Sequence, residues 1–412
     1  MPGCGRRWLT VSVWLTFLLL LLDAPPSAMS ASGTPAATPG ASHRVVANLT
    51  ALVRLAPDIL AGDSHVSQIL TFSDIAAQLA AVGVAPPATN AALGDYLSAT
   101  APLVFPHDLA NSGLDPAWRE AFGFDVLQID QSLEFGVPPS QATLLRGRFD
   151  KRELRAAWQR SGYRAIAVDL PGATVVSLHE DPVSDVDSPI TRLALSSMNN
   201  AAILPDGTLA FAGSLRLLRA VLAVVAGTWP SLADRPAVAT LLAAAPPDLV
   251  SATLVDGTAL QGTAPIDAFA NPTPPDPGAV MTAVAALRQM PPVGMALIGV
   301  TAGGPPRSPG AASSTPMPAA PGQPRSRVWL ALLMANQAAA ETAAPIVLER
   351  LETGRSAATG EPFATYFPAA ERQVRTLARQ PVLVVDLGLS DDTPPNLWYS
   401  MYARRDLGFV AW

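Results

Sequence analysis

Between Gln131 and Leu178 the chain sets down strand and helix patterns in an order that dictates how its layers must pack. Ser132–Val137 and Ala142–Phe149 read as strands, rich in apolar and β-branched residues. Asp150 then offers a side chain to cap a helix, and Glu153 three positions on completes a capping box. Leu154 and Trp158 share the apolar stripe of that helix, with Arg152, Arg155 and Arg160 toward solvent. Gly162 ends it, and Tyr163–Asp169 and Thr174–Leu178 return as a hairpin around Pro171-Gly172. Two strand pairs around one helix bury their apolar faces by laying the helix on an antiparallel sheet. The stretch therefore predicts an α+β fold with helices on one face of the sheet.

A related pattern follows. Asn200–Leu204 and Thr208–Ala212 flank Asp206-Gly207, a strong hairpin signal. Ser214 caps the nearly all-apolar helix Leu215–Ala226, which belongs in a core. A helix at Ala237–Ala245 precedes a strand at Leu249–Val255, and a second Asp-Gly turn stands at Asp256-Gly257. Further on, a helix at Ala279–Gln289 ends at Pro291-Pro292. Met295–Thr301 and Arg327–Met334 read as a strand pair whose connection, 302–325, is almost wholly Gly, Pro, Ser and Ala and reads as a disordered loop. A helix starting near Thr342 carries Pro345 in its first turn and stops at Gly354. Val382–Leu387 and Leu397–Arg404 then read as an antiparallel strand pair, and the apolar end Leu407–Trp412 is expected to tuck into the sheet.

The order β-β-α-β-β thus occurs at 131–178 and again at 295–404. By element order, and without a residue-by-residue repeat, it predicts duplicated ferredoxin-like modules. Ahead of both lies an N-terminal helical segment. Ser73 is expected to open a helix through Ile75, Leu79 and Val82, Asn90 to cap one through Tyr96, and Asp115-Pro116 to start one through Trp118 and Phe122. The expected division is a signal at 1–30, a disordered leader at 31–42, a first α+β module at 43–264 and a second at 265–412.

The first thirty residues carry the address. Arg6-Arg7 precedes an uncharged apolar run from Trp8 to Leu22, and small residues follow, with Ala28-Met29-Ser30 as the cleavage tripeptide. The run is shorter than the roughly 20 residues that span a bilayer. An export signal is expected, placing the protein in the periplasm, outside the cell or on its surface. If the signal is retained, residues 8–22 are the only membrane contact and 31–42 become a stalk. The single cysteine, Cys4, falls within this segment. The exported body is then free of disulfides and must rely on its core, which 49% hydrophobic and 15% charged residues favour.

Several function classes are disfavoured. The formal net charge is −6 and no basic face is evident, so nucleic acid is not an expected partner. Lys151 is the only lysine among 27 lysines and arginines. This matches a GC-rich bacterial coding bias, under which the glycosylation pattern Asn48-Leu49-Thr50 is a chance match. No nucleophile elbow, zinc helix, phosphate loop, dinucleotide turn or EF-hand is present, and no cofactor is expected. The four histidines, His43, His65, His107 and His179, are scattered.

One cluster has ligand chemistry: His179, Glu180, Asp181, Asp185 and Asp187 place hard oxygens and an imidazole in a short loop, a candidate metal site. No glycine lies within it to make a tight calcium loop, and a solvated acidic loop is the plainer reading. Asp63-Ser64-His65 and Pro106-His107-Asp108 read as caps or turns, and Asp125, Asp130 and Glu134 as loop or edge charges. Trp398, Tyr399, Tyr402, Phe409 and Trp412 are read as closing a core, an exposed strip for a sugar or protein being the other possibility. Together these features lead to an exported binding or envelope structural module without catalysis. The alternatives are a carrier of an apolar ligand under the helices, and a hydrolase built from dispersed His and Asp residues. The partner, whether a protein or an apolar ligand, is not specified.

Overall fold

The computed structural model describes residues 42–58, 68–101, 103–137, 140–185, 188–260, 289–302, 326–356, 359–369, 372–377, 380–390, 393, 397–404 and 406–411. The expected signal, the leader up to residue 41, nearly all of the helix expected at Ala279–Gln289 and residues 303–325 of the expected loop lie outside them.

Helix α1 (Ser42–Val53) precedes strand β1 (Gln68–Asp74), and α2 (Ile75–Val82), α3 (Asn90–Ala99), α4 (His107–Ser112) and α5 (Pro116–Phe122) follow. Next come β2 (Ile129–Val137), β3 (Ser140–Gly147), α6 (Lys151–Arg160), β4 (Arg164–Ala165), β5 (Thr174–Ser177), α7 (Pro189–Ala194), β6 (Asn200–Ile203) and β7 (Leu209–Ala212). Then α8 (Leu215–Val225) and α9 (Pro236–Ala244) lead to β8 (Leu249–Asp256), β9 (Val293–Thr301) and β10 (Arg327–Met334). The chain closes through α10 (Gln337–Thr353), α11 (Phe363–Tyr366), β11 (Arg372–Thr376), β12 (Val382–Gly388) and α12 (Leu397–Ala403).

Local signals account for many of these boundaries. Asp115 caps α5 by accepting from Ala117 N, Asp150 caps α6 through Arg152 N and Glu153 N, and Ser214 caps α8 through Leu217 N. Where helix α2 begins, the cap is Asp74 rather than Ser73, because β1 runs without a turn straight into the helix and its last residue does both jobs. Helix α10 starts earlier than expected, where Asn336 accepts from Ala339 N, and it carries Pro345 inside. Leu397–Arg404, expected as a strand, is mostly helix α12. Trp398 and Met401, three apart, are its buried residues. On the side away from β10, β12 pairs instead with the polar strand Arg372–Thr376.

Among the described residues the strands form one 12-stranded antiparallel sheet in the order β11-β12-β10-β9-β8-β1-β2-β3-β7-β6-β5-β4. The fold is α+β. The order is nearly palindromic about the central pair β1 and β8. Moving outward, β2 and β3 answer β9 and β10, and β5 and β4 answer β12 and β11, with hairpin β6–β7 inserted on one side only. The β-β-α-β-β order therefore does occur twice. Duplicated ferredoxin-like modules are not confirmed, since both runs extend a single sheet that crosses the boundary expected near residue 264 through the pairing of β8 with β9.

Helices cover both faces of this sheet, where one face was expected. The reason lies in the strands: Ile298, Leu330 and Val385 point to one side and Leu297, Ala331 and Val384 to the other, all buried. With both faces apolar, both need cover. On one side α2, α3, α5, α6, α10 and α12 supply Ile75, Tyr96, Trp118, Trp158, Ile346 and Trp398. On the other, α1, α8 and α9 supply Leu52, Leu218 and Leu241. The C-terminal Phe409 is buried as expected, against Phe363 and Phe367 at ring distances of 5.1 and 6.0 Å.

Candidate functional site

The middle of the sheet breaks the apolar rule on one face. Across β8, β1, β2 and β3 the register aligns Thr253 with Thr71, Thr71 with Glu134, and Glu134 with Thr143. A second row aligns Ser251 with Ser73 and Ser73 with Ser132. Their neighbours Phe72, Leu133, Leu144 and Ala252 belong to the opposite core, so strand alternation sends both polar rows to the α2 and α12 side. The hydroxyl residues are all buried, and Glu134 is half-buried.

The rows are partly bonded among themselves. Thr71 Oγ1 and Thr253 Oγ1 are 3.4 Å apart. Ser73 Oγ donates to the carbonyl of Val104, which lies over the strip. Ser251 Oγ is buried with no hydrogen-bond partner among the described residues, a costly state for a hydroxyl. On the same side of the sheet, α12 carries Tyr399, its ring 5.7 Å from Trp398 and 6.2 Å from Tyr402. Burial pushes the Tyr399 phenol above its ordinary value, and the negative charge of Glu134 pushes it further. A carboxylate, a phenol and a field of hydroxyls form a hydrogen-bonding surface between two apolar flanks.

This placement corrects the reading of Glu134 as an edge charge. Strand β2 is hydrogen-bonded on both sides, and Glu134 faces a helix rather than a second sheet edge. Asp125 caps the turn at Leu127 and lies 3.6 Å from Arg119, and Asp130 lies 3.6 Å from Arg148. Sequence reasoning missed the strip because β1 was not read as a strand. Without β1 the two rows have no middle.

The candidate metal loop follows β5. His179 is half-buried, while Glu180, Asp181 and Asp185 are exposed, and Asp187 lies outside the described residues. Among the described residues no three His, Cys, Asp or Glu are grouped to hold a metal ion. The loop is fixed by its backbone instead: buried Asn199 donates from Nδ2 to the carbonyl of Val183 at 2.7 Å, and Leu215 N donates to that of Glu180 at 2.7 Å. Asp63, Ser64 and His65 lie outside the described residues, as do the side chains of His43 and His107. Asp108 accepts from Ser197 Oγ, so this aspartate ties α4 to the turn after α7. Asn48 is engaged as well, donating to Asp74, so the Asn48-Leu49-Thr50 match gains no support as a sugar acceptor.

No protein-family model and no curated protein matches the chain. Among solved structures, crystal form I of TP0453 is similar over 86% of this chain and 97% of that chain, with 9% identity and a TM-score of 0.36. A likeness of that size carries no argument about fold or function.

Proposed function

We propose that the protein is an exported binding module without a catalytic role, and that the strip around Glu134 and Tyr399 is its ligand contact. The observation that carries the reading is the pair of polar rows in the middle of an otherwise apolar sheet. A fold with so much apolar surface to spend has no packing need for a carboxylate there, and buried polar groups are retained at a cost of a few kcal/mol unless paired, roughly 1–3 each. The basic head and apolar run of residues 6–22 support export. An envelope structural role remains the second reading. A carrier of an apolar ligand rests on composition alone.

Native mass spectrometry of the protein purified from its host, under non-denaturing conditions, tests both parts. The expected result is a chain beginning at Ala31 that retains a small molecule, which Glu134→Gln releases. A bare mass in the wild-type protein overturns the binding reading. A soluble intracellular chain still beginning at Met1 overturns export.

A further inference from the structure

We infer that a second site, on the opposite face of the sheet from the Glu134 strip, binds a sugar bearing a carboxylate. It is a surface recess of about 480 Å³ whose lining includes Trp229, Arg54, Thr228 and Asp234. Trp229 is 50% exposed, whereas Trp118, Trp158, Trp329 and Trp398 are each at most 2% exposed. Tryptophans that serve packing in this protein are inside it, and this one is held outside.

It is also held rigidly. Gly227, at φ 72°, adopts the left-handed conformation that ends α8, and the N–H groups of Thr228 and Trp229 both donate to the carbonyl of Ala223 at 2.8 and 3.2 Å. The loop is clamped to the end of α1 by three further bonds. Asp58 N donates to the Pro230 carbonyl, Leu232 N to that of Ala56 and Ser231 Oγ to that of Val53. Arg54, just past the end of α1, thereby lines the same recess as Trp229. Holding an aromatic platform in place before binding removes the ordering cost of association.

The chemistry of the rim selects the ligand. The exposed indole face suits the apolar C–H face of a pyranose ring. Arg54 is exposed, and among the described residues its guanidinium makes no hydrogen bond or ion pair. A planar fork of donors in that state matches a carboxylate. Asp234 spends Oδ2 on Ser231 N, leaving Oδ1 to accept from a sugar hydroxyl. Nearby on the same clamp, Asp58 Oδ1 is buried without a partner among the described residues.

Calorimetric titration of the full exported chain with trigalacturonate, maltotriose and citrate tests the site. Trigalacturonate is expected to bind, with maltotriose and citrate each weaker by about tenfold or more. Trp229→Ala should abolish the heat of binding, and Arg54→Gln should lower trigalacturonate affinity to the maltotriose level. Because both side chains are exposed, melting temperatures should match wild type, and Glu134→Gln should leave this titration unchanged. No binding of trigalacturonate, citrate binding as tightly as trigalacturonate, or Trp229→Ala binding like wild type would each overturn the assignment.

Discussion

The side-chain amide of Asn48, on the first described helix, donates to Oδ2 of Asp74 at 3.0 Å, at the point where β1 becomes α2. Gln131 of β2 donates to the same oxygen at 3.0 Å, and Ala77 N to Oδ1 at 2.8 Å. One carboxylate, 1% exposed, thereby joins two helices and two strands. Removing a donor leaves buried charge short of a partner. Asn48→Ala is expected to lower stability by about 1–3 kcal/mol, read as a shift in the urea midpoint at constant slope. An unchanged midpoint would mean that the other two donors suffice.

The same carboxyl sets a pH trend. Burial pushes Asp74 above its ordinary value of 3.8, against the pull of its three N–H donors, and Asp130 adds to the rise. The folded state then binds this proton more tightly than the unfolded state. Its contribution to stability is complete below the unfolded value and is lost as pH rises through the folded one. As pH rises above about 4, the stability of Asp74→Asn should fall less steeply with pH than that of the wild type, or rise more steeply. Parallel curves for the two proteins would show that Asp74 titrates alike folded and unfolded.

Tyr399 reports on Glu134. With the carboxylate replaced, the burial contribution to the phenol remains and the charge contribution goes. Difference absorbance, with Tyr399→Phe as the subtraction, should show the Tyr399 phenol titrating at lower pH in Glu134→Gln than in wild type. A phenol that does not move places Glu134 away from the ring.

Gly299 of β9 is pressed against β8. A Cβ there would lie 2.1 Å from the Ser251 carbonyl oxygen and 3.0 Å from Ala252 Cα, both backbone atoms. Gly299→Ala must push two central strands apart. The expected cost is about 1–3 kcal/mol, measured by chemical unfolding. A neutral effect would require the β8–β9 ladder to part at no cost.

The parts of this fold that were legible in the sequence are the ones written locally. Asp115, Asp150 and Ser214 announce their helices because a cap touches residues only two or three positions away. Asp206-Gly207 announces its hairpin in the same way, with Gly207 at φ 89°. Strand pairing across distant segments is not written locally. Arg372–Thr376 has no apolar alternation and is a strand only because β12 offers it a ladder, and Leu397–Arg404 was mistaken for that partner. The candidate site depends on the same long-range information. Thr71, Glu134, Thr143 and Thr253 span more than 180 positions of sequence and meet only through register.

A sheet that grows outward from a central pair still has two ends, and each end is a template for the next molecule. One end is β4, two exposed residues long, beginning with Arg164. The other is β11, whose five residues alternate between half-buried and exposed, with Arg372 half-buried at its start and Arg375 exposed. Both described ends of the palindrome are therefore closed by brevity and positive charge, which disfavours adding copies of this largely apolar sheet edge to edge.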